Sequence, residues 1–193
     1  MTDTKPAGPV RLVAGAELPA SGRWQIDPGH TEAAFIGRHF MLTKVRGRFT
    51  GVTGTIVVAD EPGESTVEVT IDMASVESGS QARDDHLRSA DFFDTARHPT
   101  AAFSGRAAEW QGTQGLLAGD LTIRGITRPV TLQVGYLGHV ADPWGGQRAI
   151  FTAHGILNRE DWGLTWNMLL DGGGLLVSKD IGIEIEAEAV LQS

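Results

Sequence analysis

The chain contains no cysteine. That excludes a disulfide framework, a thiol nucleophile and any thiolate metal site. Long apolar runs are missing as well. No stretch approaches the roughly 20 residues of a membrane-spanning helix. The opening MTDTKPAGPVRLVAGAELPASG lacks an apolar run of signal-peptide length, which leads to the expectation of a cytoplasmic protein. Runs of Lys and Arg are also absent: 16 basic residues stand against 24 acidic ones, a net charge of −8. Such a chain is poorly suited to nucleic acid or to an anionic membrane surface. Repeats and linkers are not visible either, so the 193 residues read as one domain. Residues 1–21 are expected to form a flexible N-terminal arm, with a short strand at Val10–Val13, and residues 22–193 the folded domain.

What is present is alternation. Val67, Val69, Ile71 and Met73 alternate with Glu68, Thr70 and Asp72. Ile181, Ile183, Ile185, Ala187 and Ala189 alternate with Gly182, Glu184, Glu186 and Glu188. Leu121 with Ile123, and Val130, Leu132, Val134 and Tyr136, continue the pattern. A period of two predicts strands with one apolar and one wet face. Further strands are expected at Trp24–Asp27, Ala33–Gly37, Gly47–Val58, Ala101–Trp110 and Arg148–Asn158. The links carry turn residues and are short, which favours antiparallel neighbours. Only Ser80–Ala90 and His39–Lys44 read as helical. The fold class is therefore all-β: a closed antiparallel barrel of about eight strands with one or two short helices. The apolar face has two readings at this point, a solid core or an apolar pocket.

The segment RDDHLRSADFFDTARHP, Arg83 to Pro99, concentrates charge, histidine and aromatic rings. As a metal site it lacks a tight pair of ligands, such as two His four apart on one helix. Asp84 and Arg88 fall on one helical face and are expected to pair at the surface, leaving His86 exposed. No nucleophile elbow or phosphate loop occurs. Gly172, Gly173 and Gly174 read as a turn before the last strand. The helix carries one large aliphatic residue, Leu87, so Phe92 and Phe93 are expected to supply apolar cover over a barrel mouth. Arg159 has two readings, a structural ion pair or a donor to a ligand head group.

Several motifs then resemble a known family in the right order. They are Trp24-x-Ile26-Asp27-Pro28-x-His30-Thr31, Phe35 with His39, Gly47-x-Phe49 as a turn, and Arg83-Asp84-x-His86-Leu87-x-Ser89-x-Asp91-Phe92-Phe93-Asp94 with His98-Pro99 and Phe103. Gly119-x-Leu121-Thr122-Ile123-Arg124-Gly125-Ile126-Thr127 and Asn158-Arg159-x-Asp161-Trp162-Gly163 follow. Together they resemble the YceI-like, polyisoprenoid-binding family over roughly residues 22–191. The resemblance implies a lipocalin-like barrel with an apolar tunnel for an isoprenoid or fatty chain, and it does not imply an enzyme. Many family members are exported, a departure given the opening of this chain.

The expected function is to bind and sequester or carry an amphipathic isoprenoid-type lipid, such as a quinone or its precursor, with no other cofactor and no metal. Expected contacts from the strands are Val67, Val69, Ile71, Met73, Leu121, Ile123, Leu132, Val134, Ile183 and Ile185. Aromatic and lid contacts are Phe35, Phe49, Phe103, Trp162, Leu87, Phe92 and Phe93. Polar candidates for a head group are His39, Arg83, Asp84 and Arg159. Two alternatives stay open: a metal- or acid–base-assisted hydrolase using Asp84, His86 and His98, and a stress-related structural or partner-binding barrel with a filled core. A homodimer is compatible with the sequence.

Overall fold

The computed structural model describes residues 10–169 and 174–192. Its strands are β1 (Val10–Val13), β2 (Ala16–Pro19), β3 (Gly22–Ile26), β4 (Glu32–His39), β5 (Thr43–Phe49), β6 (Val52–Val58), β7 (Thr66–Asp72) and β8 (Val76–Glu77). After helix α1 (Gln81–Arg88) come β9 (Thr100–Gln111), β10 (Gln114–Ile123), β11 (Ile126–Ala141), β12 (Gln147–Asn158) and β13 (Asp180–Leu191). The sheet closes because β12 pairs with both β11 and β13. All pairings are antiparallel. β13 meets β3 at Ala189–Leu191 and β4 at Gly182–Glu186, so β3 and β4 are two halves of one bent strand. The pairs β5/β6 and β7/β8 are bent likewise. The result is an eight-stranded up-and-down barrel, which leaves no long open edge.

The bends have local causes. The Asp27 carboxylate accepts the Gly29 N–H at 2.9 Å and caps a 3-10 turn at Pro28–His30. Asp72 does the same for Ala74 at the turn Met73–Ser75. The Ser75 hydroxyl accepts the Gly51 N–H at 2.9 Å and donates to the Asp72 carbonyl at 2.6 Å. That hydroxyl ties the second and third bends together. Asp and Asn favour such local bonds over continued strand pairing.

One end of the barrel is plugged. Trp24 is 0 % exposed and packs with Leu18, Val58, Tyr136, Ala149 and Ala189. Its indole N–H donates to the Ala20 carbonyl at 3.0 Å. The other end carries the long β8–β9 and β12–β13 connections and the β4–β5 tip.

Four expectations change. Residues 10–19 of the expected flexible arm form a hairpin whose Leu18 is 2 % exposed. A buried leucine anchors it to the plug, and residues 1–9 lie outside the described residues. His39–Lys44 is not a helix but the end of β4, a turn and the start of β5, because Arg38 and Lys44 pair across the hairpin. Gly47–Val58 is two strands, broken at Thr50–Gly51. Gly47 sits in β5 and not in a turn. A Cβ there would lie 2.2 Å from the Phe35 ring, so glycine is required by a ring lying across the backbone. Gly172 and Gly173, in the expected glycine turn, lie outside the described residues.

Candidate ligand-binding site

The lumen is an apolar cavity of about 460 Å³, within the range of about 300–1,000 Å³ common for ligand pockets. Its walls follow from the alternation in the strands. β7 contributes Val67, Val69 and Ile71, continued by Met73. β10 contributes Leu121 and Ile123, β11 Val130 and Leu132, and β13 Ile181, Ile183, Ile185 and Ala187. Phe35, Phe49, Phe103 and Trp162 complete the wall. Trp162 is held by its indole N–H, which donates to the Leu121 carbonyl at 3.0 Å. A smaller cavity of about 110 Å³, toward the plugged end, shares Ile56, Val67, Ile185 and Ala187 with it.

The β8–β9 connection covers the mouth. Phe92 and Phe93 are 8 % and 9 % exposed and pack with Leu87. The Phe93 ring meets Phe49 at 5.4 Å and Phe35 at 6.3 Å. The Phe92 ring lies 5.3 Å from Trp166, and His86 stands edge-on to both. Leu87, Phe92 and Phe93 all line the cavity.

The polar side of this cover differs from the sequence expectation. Asp84 does not pair with Arg88. It is 8 % exposed and accepts from the Ser78 hydroxyl. That same oxygen accepts Arg83 Nε at 2.7 Å, while Arg83 Nη2 donates to the Ser78 carbonyl at 2.7 Å. Arg83 and Asp84 thus clamp the helix start through Ser78. Arg88 reaches Asp85 at 3.3 Å and the carbonyls of Ala74 and Val76, because the helix turns Asp84 inward. His86 is partly buried against the rings, not exposed, and meets Asp91 at 2.9 Å.

Of the polar residues expected to hold a head group, His39, Arg83 and Arg159 line the main cavity. Asp84 does not, and Val134 lines the smaller cavity. Residues missed by the sequence reading include Leu164, Trp166, Leu176 and Val177. They lie in the irregular β12–β13 connection, where no periodicity marks an inward face. Ile181 and Val130 were marked by their alternation.

Arg159 opens a 3-10 turn, Arg159–Trp162, capped by the Asn158 side chain, which accepts the Glu160 N–H at 3.0 Å. Gly163 ends it in the left-handed region at φ 72°. This local geometry turns Arg159 into the barrel. Its Nε donates to the Ser178 carbonyl at 2.9 Å and its Nη1 to the Leu164 carbonyl. Nη2 is buried and has no hydrogen-bond partner among the described residues. Burial pulls its pKa below the ordinary arginine value, opposed by the Glu160 charge.

Two other clusters bear on chemistry. Asp27, His30 and Glu188 form, among the described residues, the one group close enough to hold a metal. The Arg148 guanidinium stands 2.6 Å from both carboxylates and 2.9 Å from Asp142. Its hydrogen bond holds the Asp27 carboxyl down at about 2 against the cost of burial, with help from His30. The proposed hydrolytic trio is dispersed: Asp84 binds Ser78, His86 binds Asp91, and His98 lies beside Gly125.

The YceI-like domain model matches residues 24–189. The chain belongs to the YceI-like family. It is 34% identical over 180 residues to Protein YceI of Escherichia coli O157:H7, covering 93% of this chain and 91% of that one. It is likewise 34% identical over 181 residues to the UPF0312 protein plu2095 of Photorhabdus laumondii, covering 93% and 92%. Among solved structures, the YCEI protein of Campylobacter jejuni superposes with a TM-score of 0.69 at 27% identity, over 81% of this chain and 90% of that one. A polyisoprenoid binding domain from Saccharophagus degradans, implicated in plant cell wall breakdown, shares the fold at a TM-score of 0.65 and 16% identity, over 88% and 98%. The YceI-like motifs now have physical roles: bend caps at Asp27 and Asn158, the Phe35 cradle at Gly47, and the aromatic cover at Phe92–Phe93. No helix among the described residues is long and apolar enough to cross a membrane.

Proposed function

We propose that this YceI-like barrel binds, and sequesters or carries, an amphipathic isoprenoid-type lipid. The observation that carries the proposal is the apolar cavity of about 460 Å³ beneath an aromatic cover. Apolar ligand surface buried there contributes roughly 25 cal/mol per Å², before association costs. A long chain therefore binds without many hydrogen bonds. The polyisoprenoid-binding domain of the same fold supports an isoprenoid over other apolar chains. The role is binding and not turnover, and a cytoplasmic setting is part of the same proposal, to be checked by cell fractionation.

Native mass spectrometry of the purified protein, followed by organic extraction, tests the reading. A co-purifying prenyl lipid is the expected result. A protein that carries no lipid, and takes up none from a panel of isoprenoids, sinks it. Val69→Trp fills the lumen at mid-wall and should abolish uptake while the far-ultraviolet circular dichroism remains that of the barrel. Uptake undiminished in a folded Val69→Trp variant places the ligand elsewhere.

A further inference from the structure

The charge of this acidic chain is unevenly spread. From Ala33 to Ala59 the sequence holds no Asp or Glu, while Arg38, Lys44, Arg46 and Arg48 all fall there. The first part of that stretch is the β4–β5 hairpin, whose tip stands at the covered mouth of the barrel. Arg46 and Arg48 meet Glu32, and Arg46 also meets Glu184. Arg38 and Lys44 are exposed neighbours across the hairpin, with no carboxylate in reach among the described residues. The net charge of −8 therefore conceals a locally basic tip.

The tip itself is apolar. The Leu42 N–H donates to the His39 carbonyl at 3.1 Å, closing a turn over Phe40 and Met41, which have φ of 53° and 61°. Two successive left-handed residues are the pattern of a type I′ turn, where Asn-Gly is the favoured pair. Phe and Met carry backbone strain in that conformation. Burial does not offset it, because Phe40, Met41 and Leu42 are 48 %, 50 % and 78 % exposed. The β12–β13 connection lies alongside. The Phe40 N–H donates to the Leu176 carbonyl at 2.9 Å, and the Leu176 N–H to the Met168 carbonyl at 3.0 Å. Met168 and its neighbour Leu169 are exposed as well. The apolar patch is continuous with the lumen, since Arg38, His39, Leu176 and Val177 of the same two segments line the cavity.

An exposed apolar patch rimmed by polar groups marks a partner or a membrane surface. The two cations choose between them. An isologous contact with a second copy sets like patches against each other, and would bring Arg38 and Lys44 toward their own counterparts. A lipid surface instead takes the apolar tip among its acyl chains and offers phosphates at the level of the cations. We propose that the β4–β5 tip, with Met168 and Leu169, docks the barrel mouth on an anionic phospholipid surface. This extends the lipid-binding reading above, because it sets the mouth against the phase that holds such a ligand. Docking itself needs no occupant in the lumen.

The test uses the full chain, stripped of lipid, in flotation with vesicles of phosphatidylcholine alone and of phosphatidylcholine mixed with phosphatidylglycerol. Affinity should be roughly 10-fold higher for the mixed vesicles, and added salt should shrink the difference. Phe40→Asn combined with Met41→Gly installs the pair that the turn favours, so Tm should be kept or raised. Vesicle affinity should nevertheless fall by roughly 10-fold or more. Arg38→Gln combined with Lys44→Gln should remove the preference for phosphatidylglycerol. Flotation with neither vesicle overturns the proposal, as does undiminished flotation of the folded Asn-Gly variant. Equal affinity of the wild-type protein for the two vesicles overturns it too, since the cations then choose nothing. A dimer that the Asn-Gly pair dissolves, seen by sedimentation in a protein that does not float, assigns the patch to a second copy and likewise overturns it. Uptake of isoprenoids is read separately. Flotation without any uptake sinks the lipid-binding reading and upholds the docking surface.

Discussion

At the scale of single residues, Gly47 is a tightly confined position in the barrel. The Phe35 ring occupies the space of its missing side chain, with Cζ 2.2 Å from where a Cβ would stand. Gly47→Ala should destabilise the barrel by about 1–3 kcal/mol through overpacking, read from urea unfolding. The cost should shrink when Phe35→Leu is added, since the ring is the obstacle. Asp27 governs a second effect. Its carboxyl is lowered from 3.8 to about 2, chiefly by the Arg148 hydrogen bond. A carboxyl with a depressed folded-state pKa contributes stability that is complete above its unfolded value and lost as pH falls through its folded one. The barrel should therefore lose stability from pH 3.8 down to about 2. Glu32, lowered by Arg48 and Arg46 despite the opposing effect of burial, and Asp142, lowered first by the Gly146 N–H, act in the same direction. Asp27→Asn should cost about 1–2 kcal/mol at neutral pH, after allowance for solvent screening. It should also flatten the acid limb of a pH–Tm profile. An unchanged limb would show that Asp27 and Arg148 contribute nothing net.

At the scale of elements, the β8–β9 cover is a polar helix with an aromatic underside. Its fixed point is Ser78, which joins Arg83 to Asp84. Ser78→Ala leaves a buried carboxylate without that donor, a loss of about 1–3 kcal/mol. The damage should stay local, because most of the barrel's pairing is elsewhere. Hydrogen exchange should accelerate across residues 81–95 and not in β10–β13, and bound lipid should leave faster. Phe93→Ala should cost more, about 3–5 kcal/mol, because its ring closes the contact with both Phe35 and Phe49. A Phe93→Ala variant with wild-type stability would show that the cover is not part of the core. The 3-10 turns capped by Asp27, Asp72 and Asn158 follow a shared logic. A short carboxylate or amide takes the N–H two residues on, and the strand bends or stops there.

At the scale of the molecule, closure and cavity belong together. A barrel of eight strands lined by medium side chains leaves room for one small ligand, and bulky residues gather at the two ends. Trp24 and Leu18 close one; Phe92, Phe93 and Trp166 cover the other. The middle, walled by valine, isoleucine and leucine, stays open.

The alternating segments of this sequence were enough to determine the strands, their inward faces and most of the wall, because a period of two is a local property of the pleated backbone. The motif order identified the family for the same reason, since capping and turn residues act over a few positions. The tertiary structure decided what depends on distant partners. Ser78, not Arg88, holds Asp84, because the helix rotates that carboxylate toward a loop five to six residues away. Arg159 proved to be a buried cation that meets no carboxylate among the described residues, its fork taken by the carbonyls of Leu164 and Ser178 and not by its own neighbours. Whether the apolar face was a solid core or a cavity was likewise open from pattern alone. Side-chain type says which way a residue points, but only the circumference of the closed sheet sets how much space the inward side chains leave between them.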